Sequence, residues 1–119
     1  MTGICSNEHI KGVVETFAAL AEPNRFRIVE LLRSGPRSVN DIVERLELAQ
    51  PQVSKHLRVL KDVGLVGAHA RAQQRLYVLR PQPLKKMNAW LERYRDVWEA
   101  RFDALDALLE EEEKHEKKK

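Results

Sequence analysis

The chain has 119 residues, of which 43% are hydrophobic and 33% are charged, a length that fits one compact domain and a composition that excludes a wholly disordered chain. No apolar run approaches the ~18 residues of a membrane span, no secretion signal is visible, and the single cysteine, Cys5, cannot form an internal disulfide. We therefore expect a cytoplasmic protein.

The net charge of +3 is distributed unevenly along the chain. Residues 50–80 carry six basic side chains and one acidic side chain, whereas residues 1–49 and 81–119 each carry one more acidic than basic side chain. A localised positive charge favours a polyanionic partner such as nucleic acid. A basic stretch is also typical of a solvated helix face, so the interpretation depends on which elements carry the charge.

The first part of the chain predicts two helices. Apolar residues from Ile10 to Phe17 recur at the spacing of one helix face. Glu22-Pro23 ends this helix and begins the next, because proline suits the first helical turn. Gly35-Pro36 ends the second helix, whose apolar residues nearly encircle its axis, as expected of a central helix packed on several sides.

The next segment predicts a helix-turn-helix. Ser38-x-x-Asp41 resembles a capping box at the start of a short third helix. After a brief turn, Gln50-Pro51 begins a fourth helix, which ends at Gly64. The buried stripe of this fourth helix is expected to consist of Val53, Leu57 and Leu60.

Beyond Gly64 the pattern changes to two strands and a final helix. Residues 65–71 and 75–80 are predicted strands, joined by residues 72–74 without the Asn-Gly or Asp-Gly of a tight turn, so we expect a loose, mobile tip. A long helix with an apolar stripe follows from Leu84 to Leu109. We expect one domain over residues 1–109 and a charged, frayed tail over residues 110–119.

These elements predict a mainly α protein with a small β-hairpin, a winged helix-turn-helix in the order α-α-α-α-β-β-α. In such a fold the second helix of the motif, about residues 50–63, enters the major groove, and the wing, about residues 65–80, contacts the adjacent backbone or minor groove. The side chains predicted to contact DNA are polar or basic: Gln50, Gln52, Ser54, Lys55, His56, Arg58, Arg71 and Arg75.

Two stretches carry a resemblance to a known family. Residues 17–32, from Phe17-Ala-Ala-Leu-Ala-Glu-Pro to Leu-Leu32, and residues 50–66, from Gln50-Pro-Gln-Val-Ser-Lys-His-Leu to Gly-Leu-Val66, resemble ArsR-family transcriptional regulators. The resemblance extends from about residue 10 to residue 109. It implies a homodimeric winged-helix protein, usually a repressor, with dimer contacts from the first and last helices. This sequence departs from the family pattern at two places: Ala49 stands where such sequences often have a capping Ser, and the wing tip lacks the common Gly.

The apolar stripe of the last helix is either core, dimer seam or the lining of an organic-ligand pocket. Pairing with a second copy explains it most economically, because a single short chain has little surface to bury so long a stripe. Two-fold symmetry then predicts a pseudo-palindromic operator. The residues predicted to form the dimer interface are Val13, Phe17, Met87, Leu91, Tyr94, Trp98, Phe102 and Leu105.

Neither a metal site nor an enzyme is expected. The positions that match the paired cysteines of metal-sensing relatives are Ser38 and Asn40, which lack a thiolate. No phosphate loop, activated nucleophile or apolar acid pair is visible, so we expect neither catalysis nor a cofactor. Two alternatives stay open, a winged-helix protein-interaction module and a ligand- or metal-responsive sensor, and the inducer and any redox role of Cys5 are not defined by the sequence.

Overall fold

A computed structural model describes the backbone of residues 2–117 and the side chains of residues 10–113. The chain divides into two compact units, with the division between Met87 and Asn88. The elements in chain order are α1 (Thr2–Ala21), α2 (Pro23–Leu32), β1 (Arg37–Ser38), α3 (Val39–Leu46), α4 (Gln50–Asp62), β2 (Val66–Arg71), β3 (Gln74–Leu79), α5 (Gln82–Glu92) and α6 (Arg95–Lys117). This is the predicted winged helix-turn-helix, mainly helical with a small antiparallel sheet.

The joint between α1 and α2 is built as the Glu22-Pro23 pair predicts. Glu22 is the N-cap of α2, and its Oε2 accepts a hydrogen bond from the backbone N–H of Arg25 at 2.8 Å. The Arg25 guanidinium then reaches back, and its Nε donates to the carbonyl of Ala19 at 2.7 Å. Free donors of α2 and free carbonyls of α1 are therefore satisfied by two side chains of the joint.

The core of the first unit lies where α2, α3 and α4 pack against the start of the sheet. Its largest fully buried side chains come from four elements or their ends, namely Ile28, Ile42, Leu57, Leu60, Leu65, Val53 and Val66. The stripe predicted for the fourth helix is thereby confirmed. Gly64 follows α4 with a φ of +85°, a left-handed conformation that favours glycine.

The helix-turn-helix is held by side-chain pairs at α3. Ser38 Oγ accepts from the N–H of Asp41 at 3.2 Å, which confirms the N-cap half of the predicted capping box. The Asp41 carboxylate bonds instead to Arg37 at 2.8 Å and to Arg45 at 3.1 Å. Hydrogen bonding from Arg37, and then from Arg45, holds the pKa of Asp41 below its ordinary value of 3.8. After α3, Glu47 adopts a φ of 56° and turns the chain towards α4.

The sheet contains one strand more than the sequence predicts. The two-residue strand β1 pairs antiparallel with β3, in the order β1-β3-β2, with Arg37 opposite Tyr77. A two-residue segment is too short to show the alternating pattern of a strand, and its partner lies 40 residues further along the sequence (77 minus 37). The strand therefore arises from the tertiary fold.

The expectation of a loose wing tip is wrong. Arg71 pairs directly with Gln74, so that Ala72 and Gln73 alone form the turn. Ala72 has a φ of 57° and Gln73 does not have a positive φ, the pattern of a type II′ turn, which normally has glycine at its first central position. The register of the hairpin imposes a tight turn on a residue that adopts it only with strain.

The predicted last helix is divided into α5 and α6. At the break, the N–H groups of Arg93 and Tyr94 donate to carbonyls three residues earlier, those of Trp90 and Leu91, at 3.2 and 3.0 Å. Neither proline nor glycine marks this break, so the continuous apolar pattern gave no signal of it. α6 continues across residue 109 to Lys117. None of the helices formed by residues 2–117 combines the length and apolar content of a membrane span.

Candidate nucleic-acid interface

The fourth helix presents a polar face because its apolar face is anchored in the core. Val53, Leu57 and Leu60 are at most 2% exposed and fix the rotation of α4 about its axis. The opposite face is open to solvent. It carries Gln50, Gln52, Ser54, Lys55, Arg58 and Lys61.

The N-terminus of α4 is capped by the side chain of Gln52. Ala49 is the N-cap and has no side-chain acceptor, so the usual bond from the cap residue to the helix is missing. The side-chain Oε1 of Gln52 accepts the backbone N–H of Ala49 at 3.2 Å, which is the second half of a capping box. Gln52 therefore stabilises the helix start in addition to lying on its exposed face.

The wing brings two arginines beside this helix. β2 and β3 pair antiparallel, with Arg71 opposite Gln74 and Arg75 opposite Ala70, and both arginine side chains are exposed. Neither Arg71 nor Arg75 forms an ion pair among the described side chains. Their guanidinium groups are therefore available to bind an external anion.

Two shallow clefts join α4 to the wing, and Arg75 lines both of them. One cleft of about 160 Å³ is lined by Ser54, Leu57, Arg58, Lys61, Arg75 and Tyr77. The other, of about 260 Å³, is lined by Ser38, Val39, Asn40, Gln50, Gln73, Gln74 and Arg75. The second helix of the motif, the start of α3 and the wing tip thus share one polar, basic surface, which we call the α4–wing face.

The second cleft contains three amide side chains that were not among the predicted DNA contacts. Asn40 is exposed in the first turn of α3, and Gln73 and Gln74 are exposed at the wing tip. Gln73 and Gln74 were missed because the expected loose tip gave no register with which to place them. The tight turn predicted by an antiparallel register of Arg71 with Gln74 would have identified them.

His56 is placed differently from the other predicted contacts. Its side chain is only 15% exposed, and Nδ1 lies 3.7 Å from Oε2 of Glu22, the residue that caps α2. Nδ1 is buried without a hydrogen-bond partner among the described residues. His56 therefore faces the joint between α1 and α2 rather than the solvent side of α4, and we omit it from the α4–wing face.

The residues predicted for the dimer interface differ in exposure. Val13 is 3% exposed and belongs to the buried interior of the chain, so it is not available to a partner. Met87 and Leu91 are half-buried. The others are 39–63% exposed: Phe17, Tyr94, Trp98, Phe102 and Leu105.

The described side chains offer no cluster of three or more metal-ligating residues. Ser38 and Asn40, which the family resemblance matches with cysteines, both line the cleft at the wing tip, and Ser38 also caps α3. Cys5, His9 and His115 lie outside the residues with described side chains.

Comparison with known proteins finds relatives in one family of bacterial regulators. The family model of the bacterial regulatory proteins of the arsR family matches residues 22–67, from the cap of α2 into β2. The transcriptional repressor SdpR of Bacillus subtilis is 31% identical over 63% of this chain and 83% of its own length. The transcriptional regulator Rv2034 of Mycobacterium tuberculosis is 38% identical over 64% of this chain and 71% of its own length.

The chain belongs to the arsR family. Among solved structures, the homodimeric winged helix-turn-helix DNA-binding domain of Mb0332 from Mycobacterium bovis is similar, with a TM-score of 0.63 and 25% identity over 76% of this chain and 84% of that one. The arsR-family relatives are transcriptional regulators, a family without enzymatic activity, which confirms the expectation that this chain is not an enzyme.

Proposed function

We propose that the chain is a homodimeric transcriptional repressor that binds duplex DNA at a specific sequence. The observation that carries this proposal is the α4–wing face, on which exposed polar and basic residues of α4 and β3 line shared clefts. In the proposed complex α4 lies in the major groove, and the wing follows the adjacent backbone or minor groove. This role implies a cytoplasmic location.

Different parts of the face have different proposed tasks. Gln50, Ser54 and Lys55 lie on the first two turns of α4, the part of a recognition helix that meets base edges. Arg58 lies further along and, with Lys61, contacts phosphates, which supply affinity rather than sequence discrimination. Arg71 and Arg75 contact the backbone or the minor groove from the wing.

The dimer is proposed from the apolar face of α6. Trp98, Phe102, Leu105 and Leu109 follow each other at alternating spacings of four and three residues, the pattern of a coiled-coil seam, and each is 49–63% exposed. The similar Mb0332 domain is a homodimer, which supports a second copy of this chain as the partner. Two-fold symmetry then requires a pseudo-palindromic operator with half-sites ~34–36 Å apart.

Two sets of variants test the DNA contacts on a duplex selected from a random pool and on a scrambled duplex. Arg75→Ala should weaken binding to both duplexes and lower the dependence of log affinity on log salt by about one unit, because one phosphate contact is lost. Arg33→Ala is the matched control, since Arg33 is an exposed arginine that follows α2 and lies outside the α4–wing face.

The double variant Gln50→Ala with Ser54→Ala should weaken the selected duplex by ~10-fold or more and leave the scrambled duplex nearly unchanged, because base contacts carry specificity. Equal losses on both duplexes would remove these two residues from base recognition. Failure of the native protein to bind any duplex, together with capture of a protein partner through α6, would favour the protein-interaction alternative instead.

A further inference from the structure

At the start of α4, the side chain of Gln52 has two possible roles, capping the helix and contacting DNA. Gln52 is exposed on the helix that we propose for the major groove, yet its Oε1 is bonded to the N–H of Ala49 at 3.2 Å. Ala49 supplies no side-chain cap of its own. Any contact of Gln52 with a base must therefore coexist with its capping role or replace it.

The amide chemistry decides which atom serves which task. A backbone N–H needs an acceptor, and Oε1 is the acceptor of the glutamine amide. The other end of the amide, Nε2, carries two N–H donors and has no partner among residues 10–113. The capped conformation thus holds the oxygen towards the backbone and leaves a donor group available.

We infer that Gln52 caps α4 through Oε1 and offers DNA only its Nε2 donor, so that it favours a base edge that presents acceptors without a donor over the edge of adenine. This inference rests on the proposed function. A glutamine that reads adenine uses both ends of the amide, accepting from N6 and donating to N7. A lone donor matches guanine, which presents N7 and O6, or thymine, which presents O4. Adenine N7 also accepts, but the N6 donor beside it is then left without an acceptor. Each half-site is then expected to carry guanine or thymine opposite Gln52.

Three variants separate the capping role of Gln52 from its role as a hydrogen-bond donor to DNA. Gln52→Ala removes both. Gln52→Glu keeps an oxygen acceptor for the Ala49 N–H and removes the donor. Ala49→Ser combined with Gln52→Ala restores a cap from the other side, because a serine at the N-cap accepts from the N–H groups of the first turn, but it does not restore the donor. Ala49→Ser alone is the control that retains both functions.

The experiment selects duplexes from a randomised pool with the native protein and with each variant, and compares thermal midpoints. We expect one position in each half-site to prefer guanine or thymine with the native protein and with Ala49→Ser. This preference should fall by about fivefold with Gln52→Glu and with the double variant, while the double variant recovers the thermal midpoint lost in Gln52→Ala.

Other results would overturn the inference. An adenine preference that disappears in Gln52→Ala would make Gln52 a two-ended reader, and an unchanged selection by the double variant would make it a cap alone. In both cases the native protein still selects a sequence, so the proposed function survives. If the native protein selects no sequence at all, the proposed function fails and this inference fails with it.

Discussion

The two units of the chain differ in how many of their apolar side chains they bury. In the first unit, side chains such as Ile28, Ile42 and Leu57 are at most 2% exposed, because helices and strands cover them on every side. In the second unit none of the described side chains of residues 88–113 is buried. Even the large aromatic side chains Trp98 and Phe102 are 49% and 63% exposed. The first unit is stabilised by its own core, whereas the second presents an apolar helix that a second copy of the chain would cover.

The largest effect should come from the core of the first unit. Leu57→Ala is expected to lower the free energy of unfolding by ~2–5 kcal/mol, because it removes buried methyl groups and leaves a cavity. Leu105→Ala, the same change at a residue that is 49% exposed, should cost less than about 1 kcal/mol in dilute protein, where the monomer prevails. Urea denaturation at low protein concentration measures the free energy of unfolding of both variants. Equal losses in the two variants would contradict the difference in burial between the units.

The next effect concerns the association of the second unit. Trp98→Ala and Phe102→Ala should each weaken self-association by ~2 kcal/mol, about 30-fold in dissociation constant, since aromatic anchors dominate the energy of such interfaces. Glu99→Ala, a change at an exposed acidic residue of the same helix, is the control. Sedimentation over a range of protein concentrations measures the dissociation constant. An unchanged value in both aromatic variants would show that α6 is not the seam.

In the first unit, the stability of the fold should depend on pH through Asp41 of α3. Because the folded-state pKa of Asp41 lies below 3.8, its pairing with Arg37 and Arg45 stabilises the fold above pH 3.8. This contribution declines as the pH falls below 3.8 towards the folded-state pKa. The urea midpoint of native protein should therefore fall more steeply in this range than that of Asp41→Asn. Glu44→Gln, a change at an exposed carboxylate of the same helix that forms no ion pair with the described side chains, should follow the native curve.

The smallest effect is expected at the wing tip. Ala72→Gly should raise the free energy of unfolding by about 0.5–1 kcal/mol, because glycine adopts a positive φ without the strain that alanine incurs. Gln73→Gly, at a neighbouring residue without a positive φ, should lower stability instead through the added freedom of the unfolded chain. Thermal denaturation distinguishes the two, and the same sign for both would contradict a type II′ turn.

Much of the fold was predictable because local signals and buried patterns agree. The Val53, Leu57 and Leu60 stripe, the Glu22-Pro23 joint and the Gly64 stop each depend on residues close in sequence, and the structure confirms all three. The strand β1 and the break between α5 and α6 were not predictable. The first depends on pairing with a distant strand, and the second occurs without proline or glycine.

The proposed site was predictable in composition and less so in the orientation of its side chains. Polar residues after Gln50 identify the exposed helix face, but helical spacing alone does not reveal that His56 turns towards Glu22. The absence of a capping side chain at Ala49 was visible in the sequence. That Gln52 takes over the cap depends on a hydrogen bond that only the structure displays.

We propose that the α4–wing faces of two paired chains bind one duplex. Hydroxyl-radical footprinting of the native protein on a selected duplex, at low ionic strength, is the decisive test. We expect two protected segments related by two-fold symmetry, with centres ~34–36 Å apart along the helix axis. A monomeric protein that leaves every duplex unprotected would contradict it.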